Sequence, residues 1–177
     1  MDWNAIAAFA SSVTALAAIA TALIVFRQVK QEAKLTRYAV GIETLLRFEA
    51  RWDDLAKVRA HAAAEIQAGK CGRYIVEVID FFDTIGTLTK KGVLDKELVW
   101  HTFYWPMANY WAVCQDFVRE TQSEEGTATW ADYAEVMSEM KATEADRSKR
   151  SLAEIGPSKS QVAEFMADEK ARLTTGR

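Results

Sequence analysis

The sequence is poor in the residue types that build catalytic and metal-binding sites. It contains only two histidines, His61 and His101, and two cysteines, Cys71 and Cys114, in 177 residues. Structural zinc sites use closely spaced pairs of such ligands, so the spacing here argues against one. The chain also lacks a phosphate-binding glycine loop, a serine nucleophile elbow and a metalloprotease helix motif. We therefore predict no catalytic residue, no metal site and no cofactor, and we expect a protein that is not an enzyme.

Neither sign of charge dominates the sequence. The 22 basic residues nearly balance the 25 acidic ones, which gives a net charge of −3. Such a chain has no global positive field to attract nucleic acid, so we do not expect a nucleic-acid partner. Half of the residues are hydrophobic, which is enough for one core, and the chain is too short for two substantial domains.

A long stretch without charge lies near the beginning of the chain. It runs from Ala5 to Phe26, and as a helix it would span about 33 Å, close to the roughly 30 Å of a bilayer core. The sequence thus predicts one N-terminal transmembrane helix. Two alternatives stay open, namely a signal peptide cleaved near Ala18-Ile19-Ala20 and a buried helix of a soluble protein. The missing positive charge before the stretch argues against the first, and the uninterrupted length argues against the second.

Basic residues follow the predicted span directly. Arg27, Lys30, Lys34 and Arg37 lie three, four and three residues apart, whereas no Lys or Arg precedes the span. By the positive-inside rule, this asymmetry places the N-terminus outside and the remaining chain in the cytoplasm, as in a protein of the bacterial inner membrane. On a continuing helix the four side chains form one stripe, where each would gain about 1 kcal/mol from anionic lipid headgroups. An ordinary topology signal would use the same residues.

Small residues recur at a spacing of four within the predicted span. The pairs are Ala8 and Ser12, Ser11 and Ala15, and Ala18 and Ala22. Such surfaces let transmembrane helices approach closely, so we expect a homo-oligomer. In a ring of spans, the candidate residues for pore lining or helix contact are Ser11, Thr14 and Ala18.

The remaining sequence has the periodicity of an all-α fold and no strand-like alternation. Apolar residues recur at helical spacing from the membrane to about Ala64, over 73–90, from an Asp95 cap to about Glu120, and from Trp130 to about Met140. Pro106 is expected to kink or interrupt the third of these helices, and the polar residues 121–126 to form a loop.

Charged residues prevail beyond Lys141, until a short amphipathic helix over 158–173. This tail is either a flexible extension or a docking helix for a neighbouring subunit. The predicted organisation is a transmembrane anchor over 1–29 that continues into a cytoplasmic helical bundle over 30–141, followed by a charged C-terminal extension over 142–177.

Two side-chain groups in the predicted bundle have both a structural and a functional interpretation. Glu77, Asp80 and Asp83 share one helix face, which suits a divalent cation but is more simply a solvated polar face. The aromatic residues from Phe103 to Trp111 suit a ligand pocket but are better explained by core packing.

Several short motifs between residues 74 and 137 occur in a fixed order. They are Phe81-Phe82-Asp83-Thr84-Ile85-Gly86, Lys91-Gly92-Val93-Leu94-Asp95, Glu97-Leu98-Val99-Trp100 and Tyr110-Trp111. In these motifs, over roughly residues 35–140, the chain resembles an uncharacterised bacterial family of single-span, membrane-anchored helical proteins. The resemblance implies one transmembrane helix before a small helical domain, and it supplies no catalytic residue. In architecture and length, the chain is also similar to small membrane accessory or effector proteins of CRISPR and anti-phage systems.

Three functions suit such a chain. The first is an oligomeric membrane protein that acts as a pore or membrane effector gated from the cytoplasm, which the more distant resemblance places in anti-phage defence. The second is a membrane-tethered module that recruits a protein partner through its cytoplasmic domain. The third is a nucleotide sensor whose site follows no known motif. We expect the first, because the small-residue span and the lack of a catalytic constellation fit it best.

Overall fold

The computed structural model describes the backbone of residues 3–175 and the side chains of residues 21–173. Within this part the chain forms six α-helices and no strand, so the predicted all-α fold class is confirmed. The helices are α1 (Trp3–Asp54), α2 (Ala56–Gln67), α3 (Arg73–Lys90), α4 (Lys96–Glu125), α5 (Ala131–Ser148) and α6 (Lys159–Thr175), with a 3₁₀ turn at Leu152–Glu154. The chain divides into two compact units, one up to Val40 and one from Gly41 onwards.

The first unit consists of the N-terminal part of α1. Every side chain from Thr21 to Val40 is exposed. No helix among the described residues is long and apolar enough to cross a membrane. Most of the predicted span, Ala5–Phe26, lies outside the residues whose side chains the structure describes.

The helix predicted from the membrane to about Ala64 is divided into two helices at one residue. Leu55 separates α1 from α2, with φ of −75° and ψ of 4°. Its N–H still donates to the Arg51 carbonyl at 3.0 Å, and its own carbonyl accepts from the Arg59 N–H at 2.9 Å. The backbone hydrogen bonds therefore continue across the break. Helix α2 then ends near Gly69, whose φ of 69° is the left-handed conformation that glycine adopts without steric cost.

Helix α3 supplies the centre of the core and has the predicted bounds. Ile75, Val78, Ile79, Phe82 and Ile85 are all fully buried, as their helical spacing predicts. Burial of such a side chain contributes about 1.5–3 kcal/mol. Through this face, α3 packs against α2, α4 and α5.

Helix α4 differs from its prediction at two points. The Asp95 cap is confirmed, because its Oδ1 accepts from the N–H groups of Glu97 at 3.0 Å and Leu98 at 3.1 Å. Of the kink or interruption expected at Pro106, the interruption is wrong, because α4 continues past the proline, with the side chains of Phe103 and Met107 buried on either side. The loop expected over 121–126 is also wrong, since α4 continues to Glu125.

The C-terminal residues belong to the same compact unit as the preceding helices. Residues 142–148 complete α5, and α6 packs against α2 and α4. Helix α6 starts with a reciprocal cap, in which the Ser158 N–H donates to Gln161 Oε1 at 2.8 Å and the Gln161 N–H donates to Ser158 Oγ at 3.3 Å. The segment that the sequence sets apart as a charged extension thus contains a packed helix.

The crossing of α3 and α5 depends on Gly86. A Cβ atom at this buried position would lie 2.5 Å from the carbonyl oxygen of Asp132. We predict that Gly86→Ala destabilises the fold by about 1–3 kcal/mol through overpacking, although alanine is the better helix former. Chemical denaturation would measure the loss. The control Thr84→Ala, at an exposed site of the same helix, should change stability by less than about 0.5 kcal/mol. Equal effects of the two substitutions would contradict the close approach.

Candidate functional site

The predicted lipid-contact residues lie on the exposed part of α1. Arg27, Lys30, Lys34 and Arg37 are all exposed, and none forms an ion pair with another described residue. Their spacing places them along one side of the helix, as expected. The candidate pore-lining or contact residues Ser11, Thr14 and Ala18 lie outside the residues whose side chains are described.

A ring of exposed apolar side chains directly precedes this basic stripe. Leu23, Ile24, Val25 and Phe26 are 59%, 58%, 50% and 67% exposed. Four successive residues of an α-helix point in four directions about its axis, so the helix is apolar all round at this level. A helix that is hydrophobic on every side normally lies in a protein core or in a membrane.

A buried ion pair joins α2 to α6 in the second unit. Arg59 Nη1 lies 2.9 Å from Glu169 Oε1, and each side chain is only 3% exposed. Neither residue was predicted as a site residue. A signal was present in the sequence, because Glu169 continues the apolar positions Val162, Phe165 and Met166 at helical spacing. A charge on an apolar helix face requires a partner once that face is buried.

Aromatic and charged groups surround the pair. The Arg59 guanidinium lies 4.0 Å from the centre of the Trp52 ring, and Arg172 Nε lies 3.3 Å from Glu169 Oε1. The Tyr110 hydroxyl donates a long hydrogen bond of 3.5 Å to the backbone carbonyl of Arg59. Residues from α1, α2, α4 and α6 therefore meet around one carboxylate.

The pair is not arranged for maximal stability. Arg59 Nε and Glu169 Oε2 are both buried without a hydrogen-bond partner, so the contact is a single bond and not the bidentate fork that Arg and carboxylate can form. Burial lowers the pKa of Arg59 and raises the pKa of Glu169, although each charge attracts the other. Burial is the largest cause of both shifts, so the loss of hydration is a cost for each charge of the pair.

The acidic row of α3 contributes to packing between helices. Asp83 Oδ1 accepts from the Tyr133 N–H at 2.9 Å, and Asp80 Oδ1 accepts from the Trp130 Nε1–H at 2.7 Å. Burial raises the pKa of Asp83. Two of the three carboxylates therefore hold the beginning of α5, although Asp80, like Glu77, is exposed to solvent. Among the described residues, no group of His, Cys, Asp and Glu is arranged to hold a metal ion.

Two surface clefts lie in the second unit. One, of about 150 Å³, lies beside Gly86 and contains Lys90 at 2.5 Å from Glu135 and Lys96 at 2.7 Å from Glu139. The other, of about 440 Å³, is lined by Tyr104, Trp105, Glu144 and Arg150 among others. Of the aromatic residues considered for a ligand pocket, only Tyr104 and Trp105 line this cleft, whereas Phe103 and Tyr110 are core residues.

The family model for a domain of unknown function, DUF4760, matches residues 5–140. The chain belongs to the DUF4760 family. The predicted membership of an uncharacterised family is thereby confirmed, and the match extends further towards the N-terminus than the motifs suggested. The DUF4760 match includes the uncharged stretch and Arg59, whereas α6 with Glu169 lies beyond it. The chain matches no curated protein and no solved structure.

We predict that the two residues of the buried pair can be replaced together but not one at a time. Glu169→Leu alone should destabilise the fold by about 3–5 kcal/mol, because it leaves the buried Arg59 guanidinium without a carboxylate. Arg59→Met alone should cost less, because Arg172 Nε remains 3.3 Å from Glu169 Oε1. The double variant Arg59→Met/Glu169→Leu should match or exceed the stability of the wild type. Chemical denaturation of the wild type, the two single variants and the double variant completes the double-mutant cycle.

The exposed pair of Lys96 and Glu139, at 2.7 Å, provides the control for this cycle. Its removal should change stability by less than about 1 kcal/mol, because solvent screens the pair. Additive losses at Arg59 and Glu169 would show that the two buried charges act independently, contrary to the prediction.

Proposed function

We propose that this DUF4760 protein is a single-pass membrane protein that self-associates and acts through protein contacts and not through catalysis. The observation that carries the proposal is the exposed apolar ring at Leu23–Phe26, which is followed at once by a basic stripe that has no ion-pair partner among the described residues. In this arrangement Ala5–Phe26 is the membrane span, and the helical unit from Gly41 onwards faces the cytoplasm.

The energetics of the apolar ring support insertion. Keeping a large apolar side chain in water instead of an apolar environment costs about 1.5–3 kcal/mol. Four such side chains occur in succession here, at the end of an uncharged stretch that the family match includes. A bilayer removes all four from water at once, whatever direction each one takes around the helix.

The basic stripe supports the orientation. Arg27, Lys30, Lys34 and Arg37 begin at the residue after the ring, where they would lie at the level of the lipid headgroups. Each would contribute about 1 kcal/mol on a leaflet rich in anionic lipid. Because the four have no ion-pair partner among the described residues, contact with lipid breaks no existing pair.

The chemistry of the helical unit supports a role without catalysis. Burial raises the pKa of both cysteine thiols, which disfavours the thiolate form that a nucleophile needs. His61 stacks on Tyr74 with ring centres 4.7 Å apart, and His101 is an exposed neighbour of Glu97.

A charge at the centre of the predicted span tests the anchor. Leu16→Asp should cost about 2.5–3.5 kcal/mol of insertion free energy and move much of the protein out of the membrane fraction. Flotation of the expressed protein with membranes after alkaline extraction would measure the shift. Leu152→Asp is the control, because Leu152 is a 61% exposed leucine of the helical unit. A Leu16→Asp protein that floats as the wild type does would overturn the proposed anchor.

A pore is the more specific form of this proposal, and it rests on the small residues Ser11, Thr14 and Ala18. Replacement of residues 5–26 by polyleucine should preserve a simple tether and abolish a pore, because bulky side chains fill the space between close-packed helices. Dye leakage from vesicles that contain each full-length protein distinguishes the two. Leakage with the natural span only supports the pore, whereas no leakage with either span leaves the tether.

A further inference from the structure

A row of uncharged residues follows one side of the exposed part of α1. Its positions alternate four and three residues apart, which is the heptad spacing of helices that pack side by side. Residues 24–40 include five charged side chains, and none of them falls on a position of this row. We call the row the heptad stripe, and its members are Ile24, Gln28, Gln31, Leu35 and Tyr38. In the sequence, Ile42 continues the same spacing.

The heptad stripe is uncovered in the single chain. All of its side chains are exposed, and the exposed fraction is 69% for Leu35 and 51% for Tyr38. Both residues lie beyond Arg27, where the proposed span has already ended. The bilayer core that would cover Leu23–Phe26 therefore leaves these two apolar side chains in water, and contact with another protein surface would stabilise them.

Charges of opposite sign border the heptad stripe. Arg27 directly precedes Gln28 and Glu32 directly follows Gln31, so the two charges lie on opposite sides of the stripe. The residues three and four positions from Arg27 include no acid, and those three and four positions from Glu32 include no base. Pairing along the helix uses these spacings, so neither charge has a partner on its own helix. Among the described residues, neither forms an ion pair.

This distribution of charge favours a second α1 over a lipid surface as the partner of the stripe. An anionic leaflet would attract Arg27 and repel Glu32. In a parallel pair of identical helices, the basic border of each helix faces the acidic border of the other, where such residues form ion pairs between helices. The proposed anchor makes every copy cross the membrane in the same direction, so the two helices would be parallel.

We propose that two copies of the chain pair through the heptad stripe, in parallel and in register. Leu35 and Tyr38 of each copy pack against the same residues of the other, and Arg27 of each copy lies opposite Glu32 of the other. Gln28 and Gln31 meet their counterparts, and polar residues at such positions fix the register of paired helices. The inference rests on the proposed membrane anchor, and it names the surface through which the protein self-associates.

Cysteine cross-linking of the full-length chain in membranes tests the pairing. The exposed Cys71 is first replaced by serine, whereas Cys114 is buried and stays. Leu35→Cys and Tyr38→Cys then place thiols within the stripe. The control Val40→Cys places a thiol at an exposed position on the other side of the same helix. After mild oxidation, we expect at least fivefold more disulfide-linked dimer from each stripe position than from Val40→Cys.

Reversal of a bordering charge tests the register. Glu32→Lys should lower the cross-linking of Leu35→Cys several-fold, because basic borders then face each other. Adding Arg27→Glu to the same chain should restore the cross-linking, because the two signs are then exchanged on both helices. Cross-linking of Leu35→Cys that stays unchanged in Glu32→Lys would overturn the proposed register.

Flotation of the same proteins with membranes separates the pairing from the anchor. Proteins that float but cross-link no more at Leu35→Cys than at Val40→Cys would overturn the pairing and leave the anchor in place. If the Cys71→Ser chain without further substitutions fails to float, the anchor is overturned, and the pairing that rests on it falls as well.

Discussion

The helical unit depends on the burial of one face of α3. Phe82 on that face contacts the rings of Trp52, Tyr110 and Tyr133, with centres 5.1 to 5.9 Å apart, and so links three other helices to α3. Aromatic pairs at these distances add about 0.5–1.5 kcal/mol each to the area that they bury. Because the same helix also needs Gly86 to approach α5, its sequence is constrained on two sides.

Charge is used inside this unit to define contacts between helices. Asp80 and Asp83 hold the beginning of α5 through hydrogen bonds, and Arg59 holds α6 through Glu169. In the contact between α3 and α5, each of the two carboxylates accepts a hydrogen bond from an N–H group at a short distance. The contact between α2 and α6 leaves buried polar atoms without partners, a cost that makes the contact selective for charge and weak in net energy. The unit thus contains one polar contact whose carboxylates are hydrogen-bonded and one that leaves buried polar atoms without partners.

The two units of the chain differ in how much apolar surface they expose. The unit from Gly41 onwards buries most of its large apolar side chains, whereas the exposed helix up to Val40 leaves Leu23, Ile24, Val25 and Phe26 uncovered. A bilayer is the environment that we propose for the exposed apolar side chains of α1, and this proposal assigns the function to assembly at a membrane.

Local interactions explain what the sequence determined by itself. The bounds of α3, the Asp95 cap and the glycine at the end of α2 depend on neighbouring residues, so periodicity and capping rules predicted them. Family membership also followed from local motifs. The tertiary structure alone decided the contacts between residues far apart in sequence. Arg59 and Glu169 are 110 residues apart, and only the packing of α6 on α2 brings them together. Packing also kept α4 helical through Pro106, because the buried side chains on both sides of the proline outweigh the lost hydrogen bond.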